Sequence, residues 1–296
     1  MPAKLIDGKI LAMSIRQQVA HDAATLLEKG LSIHLVAVLV GQSPAARVYA
    51  DNQARTCRDM GIRYSLLEFA VDITQVQLNT ELSRLAADTT VTGIMVHLPL
   101  PAHLNTQETQ YAIDVLKDVE GVNPANIGHV VYGHTIIAPC TALAAVELIE
   151  STGVPLRGAE VTVVGASRIA GKPIALLLTE RQATVTLCHI HTRDLFIHSQ
   201  KADILVVAVG KSGLISASHV KPGAVVIDVG INRVTTTNAQ GQLVNKTVGD
   251  VDFQSVLPVA GWITPVPGGV GPMTVAMLLK NTLRAARLVH KLEKPF

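Results

Sequence analysis

The sequence predicts an α/β protein of two domains, with the second domain built on a doubly wound parallel sheet. Short β-branched runs alternate with helical segments through residues 159–228, and the first of these runs empties into a glycine turn ahead of a helix (159–173, AEVTVVGASRIAGKP). The amino-terminal half repeats the same strand-and-helix alternation. At 296 residues and 48% hydrophobic composition, the chain is long enough to fill two cores.

In chain order, residues 10–29 carry apolar positions at helical spacing and stop at Gly30, a normal helix end. Residues 35–40 read as a buried strand. It runs into Gly41-Gln42-Ser43-Pro44, with Ser43 as the expected N-cap and Pro44 at the first helical position. The following helix, 45–60, puts Tyr49 and Gln53 on one face, and Cys57 continues that line. Helix geometry alone reads this as a core-facing tyrosine and a solvated glutamine. A strand at 63–69, a helix at 74–88 and a strand at 93–96 follow. The last ends in His97-Leu98-Pro99-Leu100-Pro101, a stiff exit suited to the wall of a cleft. Lys117-Asp118-Val119-Glu120-Gly121 reads as an exposed acidic turn. Pro139-Cys140-Thr141 opens a helix, 142–151, near which the domain boundary is expected.

In the second half, the run 161–164 ends on Gly165, where the chain can turn tightly. Ser167 is the expected cap of a helix starting near Ile169, whose free N–H groups would face a phosphate, and Gly171 lets that helix lie close to the sheet. The spacing is not G-x-G-x-x-G, and alone it would also suit an ordinary βα turn. A nucleophile elbow would need glycine at Ile169, and no Gly-Lys-Ser/Thr follows to make a P-loop. Three further strands, 183–188, 204–208 and 224–228, favour a nucleotide sheet, with Gly210 and Gly230 at the strand ends where its ligand would lie.

An enzyme using NAD usually carries an acid at the end of the second strand. Here the residues are Cys188-His189-Ile190-His191-Thr192-Arg193, with no carboxylate before Asp194. Arg168, His189, His191 and Arg193 suit a 2′-phosphate, so NADP is expected over NAD. As a metal pair, the two histidines lack further ligands nearby, and no metal is expected. Beyond Asp228 come a polar hairpin-like stretch (235–245) and a rigid loop, 264–274 (TPVPGGVGPMT), with exposed backbone donors. A final helix, 273–292, is long enough to pack back on the first domain.

Lys+Arg 25 against Asp+Glu 23 gives +2, and aromatics are 3%, so neither a phosphate-tracking patch nor a base-stacking platform is indicated and no nucleic-acid partner is expected. The apolar runs are far short of a membrane span, and Asp7 and Lys9 interrupt any signal-peptide core. A cytoplasmic protein is expected. Cys57, Cys140 and Cys188 are odd in number and widely spaced, which reads as buried thiols rather than disulfides or a zinc site.

Ordered motifs then carry a resemblance: Ser43 to Tyr49 followed by Gly61-Ile62, then Pro139-Cys140-Thr141, VIDVGIN (226–232), VGDV (248–251) and TPVPGGVGPMTVAM (264–277). The chain resembles the 5,10-methylenetetrahydrofolate dehydrogenase/methenyltetrahydrofolate cyclohydrolase family over essentially its full length. The resemblance implies a folate-binding domain at 1–141, completed by the helix 272–296, and a Rossmann-type NADP domain at 142–271. It also implies a cleft between them that holds a tetrahydrofolate derivative, and a homodimer. One site would serve two reactions, oxidation of the methylene bridge by NADP and hydrolysis of the methenyl product to 10-formyltetrahydrofolate. Gly165, Ser167, Arg168, Gly171, His189, Thr192, Arg193, Gly210 and Ile231 would hold the cofactor. Tyr49, Glu120, Pro265, Gly268 and Gly269 would hold the folate.

The family's site tyrosine falls on Tyr49, but its catalytic lysine position is Gln53, its partner glutamine position is His97 and its pterin-holding aspartate position is Glu120. The glycine-bearing continuation of P-C-T-P-x-G is Ala142-Leu143-Ala144. Hydride transfer needs mainly alignment of the reacting carbons, whereas hydrolysis needs activated water, and glutamine cannot titrate. The expectation is therefore a dehydrogenase with weak or absent cyclohydrolase activity. The alternatives are a fully bifunctional enzyme in which His97 moves the proton, and a folate- or nucleotide-binding protein without turnover or with a changed substrate.

Overall fold

The structure, a computed structural model, describes residues 2–41, 44–237 and 243–294. The chain forms two compact units: Ser14–Ala138 with Leu278–Phe296, and Met1–Met13 with Pro139–Met277. The chain passes from one unit to the other between Ala138 and Pro139. The first thirteen residues, however, belong with the nucleotide-type sheet, because β1 (Lys4–Leu5) pairs with a strand of that sheet. The helix α1 (Gly8–Glu28) then leads into the other unit.

That unit holds a three-stranded parallel sheet of β2 (His34–Val40), β3 (Arg63–Phe69) and β4 (Gly93–Val96), in the order β3-β2-β4. β2 is central and buried at every position, as its uninterrupted apolar run dictates. Helix α2 (Pro44–Asp59) joins β2 to β3; the expected cap Ser43 lies outside the described residues. Helix α3 (Gln75–Ala87) starts at a capping box of Thr74 with Gln77 and lays Leu78, Leu82 and Leu85 on Val36, Val38, Ile94 and Val96. Burial of each such leucine stabilises by roughly 1.5–3 kcal/mol. Two short helices, α4 (Thr106–Ala112) and α5 (Pro124–Val131), complete this stretch.

Residues 117–121 are not the exposed acidic turn the sequence suggests. Ile94 N–H donates to the Lys117 carbonyl at 2.7 Å, which lines the segment up beside β4. The buried Lys117 ammonium donates to the carbonyls of Leu85, Ala86 and Asp88 at 3.1, 2.6 and 2.8 Å, satisfying the end of α3. The buried Asp118 carboxylate accepts from Asn123 N–H at 2.7 Å and Asn126 Nδ2 at 2.9 Å. The carboxamide of Asn281 donates to the carbonyls of Val119 and Ala138 at 2.9 and 3.0 Å, so the carboxyl-terminal segment is stitched to the same strip of backbone.

The other unit opens with helix α6 (Cys140–Glu150) and continues through β5 (Glu160–Val164), α7 (Gly171–Glu180), β6 (Thr184–Cys188), α8 (Leu195–Ser199), β7 (Ile204–Val207) and β8 (Val225–Asp228). An antiparallel hairpin, β9 (Asn232–Thr237) with β10 (Leu243–Val248), leads to α9 (Phe253–Val256), β11 (Trp262–Ile263) and α10 (Val270–Val289). The hairpin-like reading of 235–245 falls on β9 and β10, and its residues 238–242 lie outside the described ones. The sheet runs β1-β11-β8-β7-β5-β6, every pairing parallel. From β5 the chain winds to β6 on one side and to β7 on the other, which puts the topological switch point, and the expected ligand crevice, at the carboxyl ends of β5 and β7.

Candidate functional site

Gly165 ends β5 at φ +112°, and a Cβ there would lie 2.2 Å from the Ala208 carbonyl oxygen. A Cβ on Gly171 would lie 1.7 Å from the Gly165 carbonyl. Both positions therefore exclude any side chain, and the turn folds tightly onto the switch point. Ser167 is not the N-cap. Helix α7 begins at Gly171, and the Ser167 hydroxyl accepts from the N–H groups of Ala170 and Gly171 at 3.2 and 3.3 Å, while its carbonyl accepts from Lys172 N–H. The helix-end N–H groups expected to face a phosphate are thus partly consumed within the turn.

After β6 the chain makes a compact turn. His189 N–H donates to Thr192 Oγ1 at 2.9 Å, Thr192 N–H donates to the His189 carbonyl at 2.8 Å, and His191 N–H donates to His189 Nδ1 at 3.1 Å. His189, His191 and Arg193 are exposed, and Arg168 is exposed on the glycine turn. Thr192 thus shapes the turn, and its basic neighbours form its surface. This donor set fits a phosphate-bearing dinucleotide and lacks the acid that would hold a bare ribose.

Two carboxylates that the sequence reading left without a role organise the loops beyond β7 and β8. Buried Asp228 accepts from the N–H groups of Gly230, Asp250 and Val251 at 3.0, 2.9 and 2.9 Å. Asp250 in turn accepts from Val209 and Gly210 N–H at 2.7 and 2.9 Å and from Asn232 Nδ2 at 2.8 Å. Burial pushes the Asp228 carboxyl up to about 6 against those hydrogen bonds. Gly210 and exposed Ile231 are therefore held by one network. The motifs VIDVGIN and VGDV contain both aspartates, so the signal was present, but their pairing is a tertiary fact. Pro265, Gly268 and Gly269 line a cavity of 160 Å³ together with Asp228, Gly230, Ile231 and Lys9, the last a residue that sequence reasoning did not single out.

In the unit containing α2, the structure reverses the expectation for that helix. Tyr49 is 47% exposed, whereas Gln53 is 4% and Cys57 0% exposed. The Gln53 oxygen accepts from the Tyr64 hydroxyl of β3 at 3.2 Å, and its Nε2 is buried with no partner among the described residues. His97 leaves β4 with its ring edge-on to Tyr49, centroids 5.8 Å apart. It is 6% exposed, burial lowers its pKa, and its Nε2 also lacks a partner among the described residues. Glu120 follows the 117–119 strip beside β4 and takes a backbone hydrogen bond at Val96. Burial, then the neighbouring Asp118 charge, push its carboxyl up to about 7. The three cysteines are buried and form no disulfide among the described residues, with the Cys57 thiol pushed to about 12 by burial. Tyr64 had no signal in the sequence, because its importance depends on which strand packs under α2.

Both parts of the chain match known families. Residues 6–120 match the tetrahydrofolate dehydrogenase/cyclohydrolase catalytic domain, and residues 139–290 match the NAD(P)-binding domain of the same family. Bifunctional protein FolD of Cupriavidus necator is 48% identical over 286 residues, covering 97% of this chain and 98% of that protein. The protein of the same name from Moorella thermoacetica is 46% identical over 287 residues, covering 97% and 100%. Among solved structures, the bifunctional methylenetetrahydrofolate dehydrogenase/cyclohydrolase of Campylobacter jejuni superposes with a TM-score of 0.89 at 38% identity, covering 96% of this chain and 99% of that one. The Trypanosoma brucei enzyme, solved with NADP cofactor and inhibitor, gives 0.89 at 36% identity, covering 97% and 98%.

Proposed function

Because the chain belongs to the tetrahydrofolate dehydrogenase/cyclohydrolase family, we propose that it oxidises 5,10-methylenetetrahydrofolate with NADP and hydrolyses the methenyl product to 10-formyltetrahydrofolate. The observation that carries this reading is similarity of about half the residues, along nearly the whole chain, to proteins named as bifunctional. It favours hydrolysis over the loss of hydrolysis that Gln53 alone suggests.

NADP, when bound, supplies the hydride acceptor. The chain's part in binding it falls to the glycine turn at Gly165 and Gly171, with Ser167 and Arg168, and to the basic turn of His189, Thr192 and Arg193. Asp250 fixes the backbone at Gly210 beside the switch point. In the other unit, Tyr49 lies half-exposed over His97 and orients the folate, while the Glu120 carboxylate accepts from the guanidine-like edge of the pterin.

Loss of hydride leaves the methenyl bridge cationic. Water then attacks the bridge carbon, a C–O bond forms and the attacking oxygen gives up a proton to a base; the C–N bond then breaks as the remaining hydroxyl proton passes to the departing nitrogen, so that one proton is released overall. Gln53 cannot take it. His97 can, because burial keeps its imidazole neutral at pH 7 and its Nε2 has no partner among the described residues.

A dehydrogenase that releases methenyltetrahydrofolate is the second reading, favoured by the non-titrating Gln53 amide. Purified protein given 5,10-methylenetetrahydrofolate and NADP separates the two, with NADPH and methenyl product followed independently. NADPH without methenyl accumulation is the expected result. Accumulation of both overturns the hydrolase half, and no NADPH overturns the whole reading in favour of binding without turnover or a different substrate.

A further inference from the structure

Tyr64 lies on β3, outside every motif that carries the family resemblance, yet it determines how Gln53 is presented. An amide has a donor end and an acceptor end of nearly the same shape. A phenol can also accept, but conjugation of its lone pair with the ring makes it a better donor than acceptor; with Tyr64 donating to Oε1 at 3.2 Å, the amide oxygen is favoured at that end and the nitrogen faces the other way. That nitrogen is buried and has no partner among the described residues. Buried donors left unpaired are rare in folded proteins, so an uncommitted one marks the place of a ligand atom.

We propose that Tyr64 is a positioning residue that locks the Gln53 amide with its nitrogen presented as a neutral donor to a carbonyl or ring-nitrogen acceptor of the bound folate. This rests on the folate reading above. A lysine at position 53 would place a positive charge in the same site as a cationic methenyl bridge, whereas the locked amide offers a hydrogen bond with no charge to repel it. Without the phenol, the two amide orientations compete, and half of the presented surface becomes an acceptor. Burial raises the Tyr64 hydroxyl above the ordinary phenol range, so it remains a donor throughout the working pH range.

The test is a double-mutant cycle on Tyr64→Phe and Gln53→Met, read by titration with 5,10-methenyltetrahydrofolate, with NADP affinity measured on every variant. Removing the phenol should weaken methenyltetrahydrofolate binding by about five- to tenfold, the range of one neutral hydrogen bond. In the Gln53→Met background the same change should have no further effect, and NADP affinity should hold throughout. An equal loss in both backgrounds would overturn the proposal, because Tyr64 would then act through packing and not through Gln53. No loss in either would also overturn it. Wild-type protein that binds NADP but no folate removes the underlying reading and this inference with it. Wild type that binds and turns over folate while Tyr64→Phe is silent removes the inference alone.

Discussion

Replacing His97 with glutamine tests the hydrolytic step most directly, because two separable quantities are lost. The first is the ring contact with Tyr49 at 5.8 Å. Edge-to-face pairs contribute about 0.5–1.5 kcal/mol, so its loss lowers any reaction that depends on Tyr49 by roughly two- to tenfold. The second is the proposed titrating base. Its removal costs about 10²- to 10⁴-fold, and it falls on hydrolysis alone because hydride transfer moves no proton through the protein. The ratio of methenyl hydrolysis to NADPH formation should therefore drop by at least about 10². The wild-type pH profile adds a second check. Burial lowers the His97 pKa below 6.5, so the base is competent at neutral pH and is lost as pH falls through that lowered value. Wild-type hydrolysis should decline about tenfold per pH unit on that acid limb, and His97→Gln should lack the limb. If both reactions fall by the same factor, or hydrolysis is unchanged, His97 is not the base.

Glu120 has the opposite sense. Its pKa is raised to about 7, so the carboxylate proposed to hold the pterin is present above that pH and lost as pH falls through it. Folate affinity should weaken towards pH 6, and Glu120→Gln should bind about tenfold or more weakly at pH 8 with no such pH dependence. Gly165→Ala places a methyl group 2.2 Å from the Ala208 carbonyl at φ +112°, and should lower stability by about 2–4 kcal/mol in urea unfolding. A loss below about 0.5 kcal/mol would mean that the turn relaxes freely. Arg193→Ala should raise the KM for NADP by about tenfold and leave that for NAD within about twofold; equal changes for both would exclude a 2′-phosphate contact.

What could be read from the chain was whatever repeats locally. The apolar run of β2 and the strand at Arg63–Phe69 follow from β-branched and apolar patterning, and the switch-point turn follows from Gly165. The two-residue strands β1 and β11 left no trace, because a pair of residues has no period, and the first thirteen residues were consequently assigned to the wrong unit. Charge misled at Lys117 and Asp118. Both read as solvated, but α3 supplies three carbonyl acceptors to one, and Asn123 and Asn126 supply donors to the other. Tyr49 and Gln53 exchanged their expected surroundings for a similar reason, since the hydroxyl of Tyr64 provides the partner that lets an amide go inside. The candidate site positions come from resemblance, whereas their protonation and orientation follow only from what packs around them.

The bond from Asn281 to the carbonyl of Val119 has a bearing on how the protein is made. Tyr49, Gln53, His97 and Glu120 all precede residue 121, yet the unit that carries them recruits residues 278–296, which are translated after the whole of the dinucleotide unit. The dinucleotide unit needs nothing beyond Met277. During synthesis the later-encoded sheet therefore has its complete chain first, while the earlier-encoded one waits, with Glu120 beside a backbone strip whose clasp has not yet been translated. A released chain ending before residue 281 would contain every strand of the nucleotide sheet and lack the clasp that Asn281 makes on Val119 in the other unit.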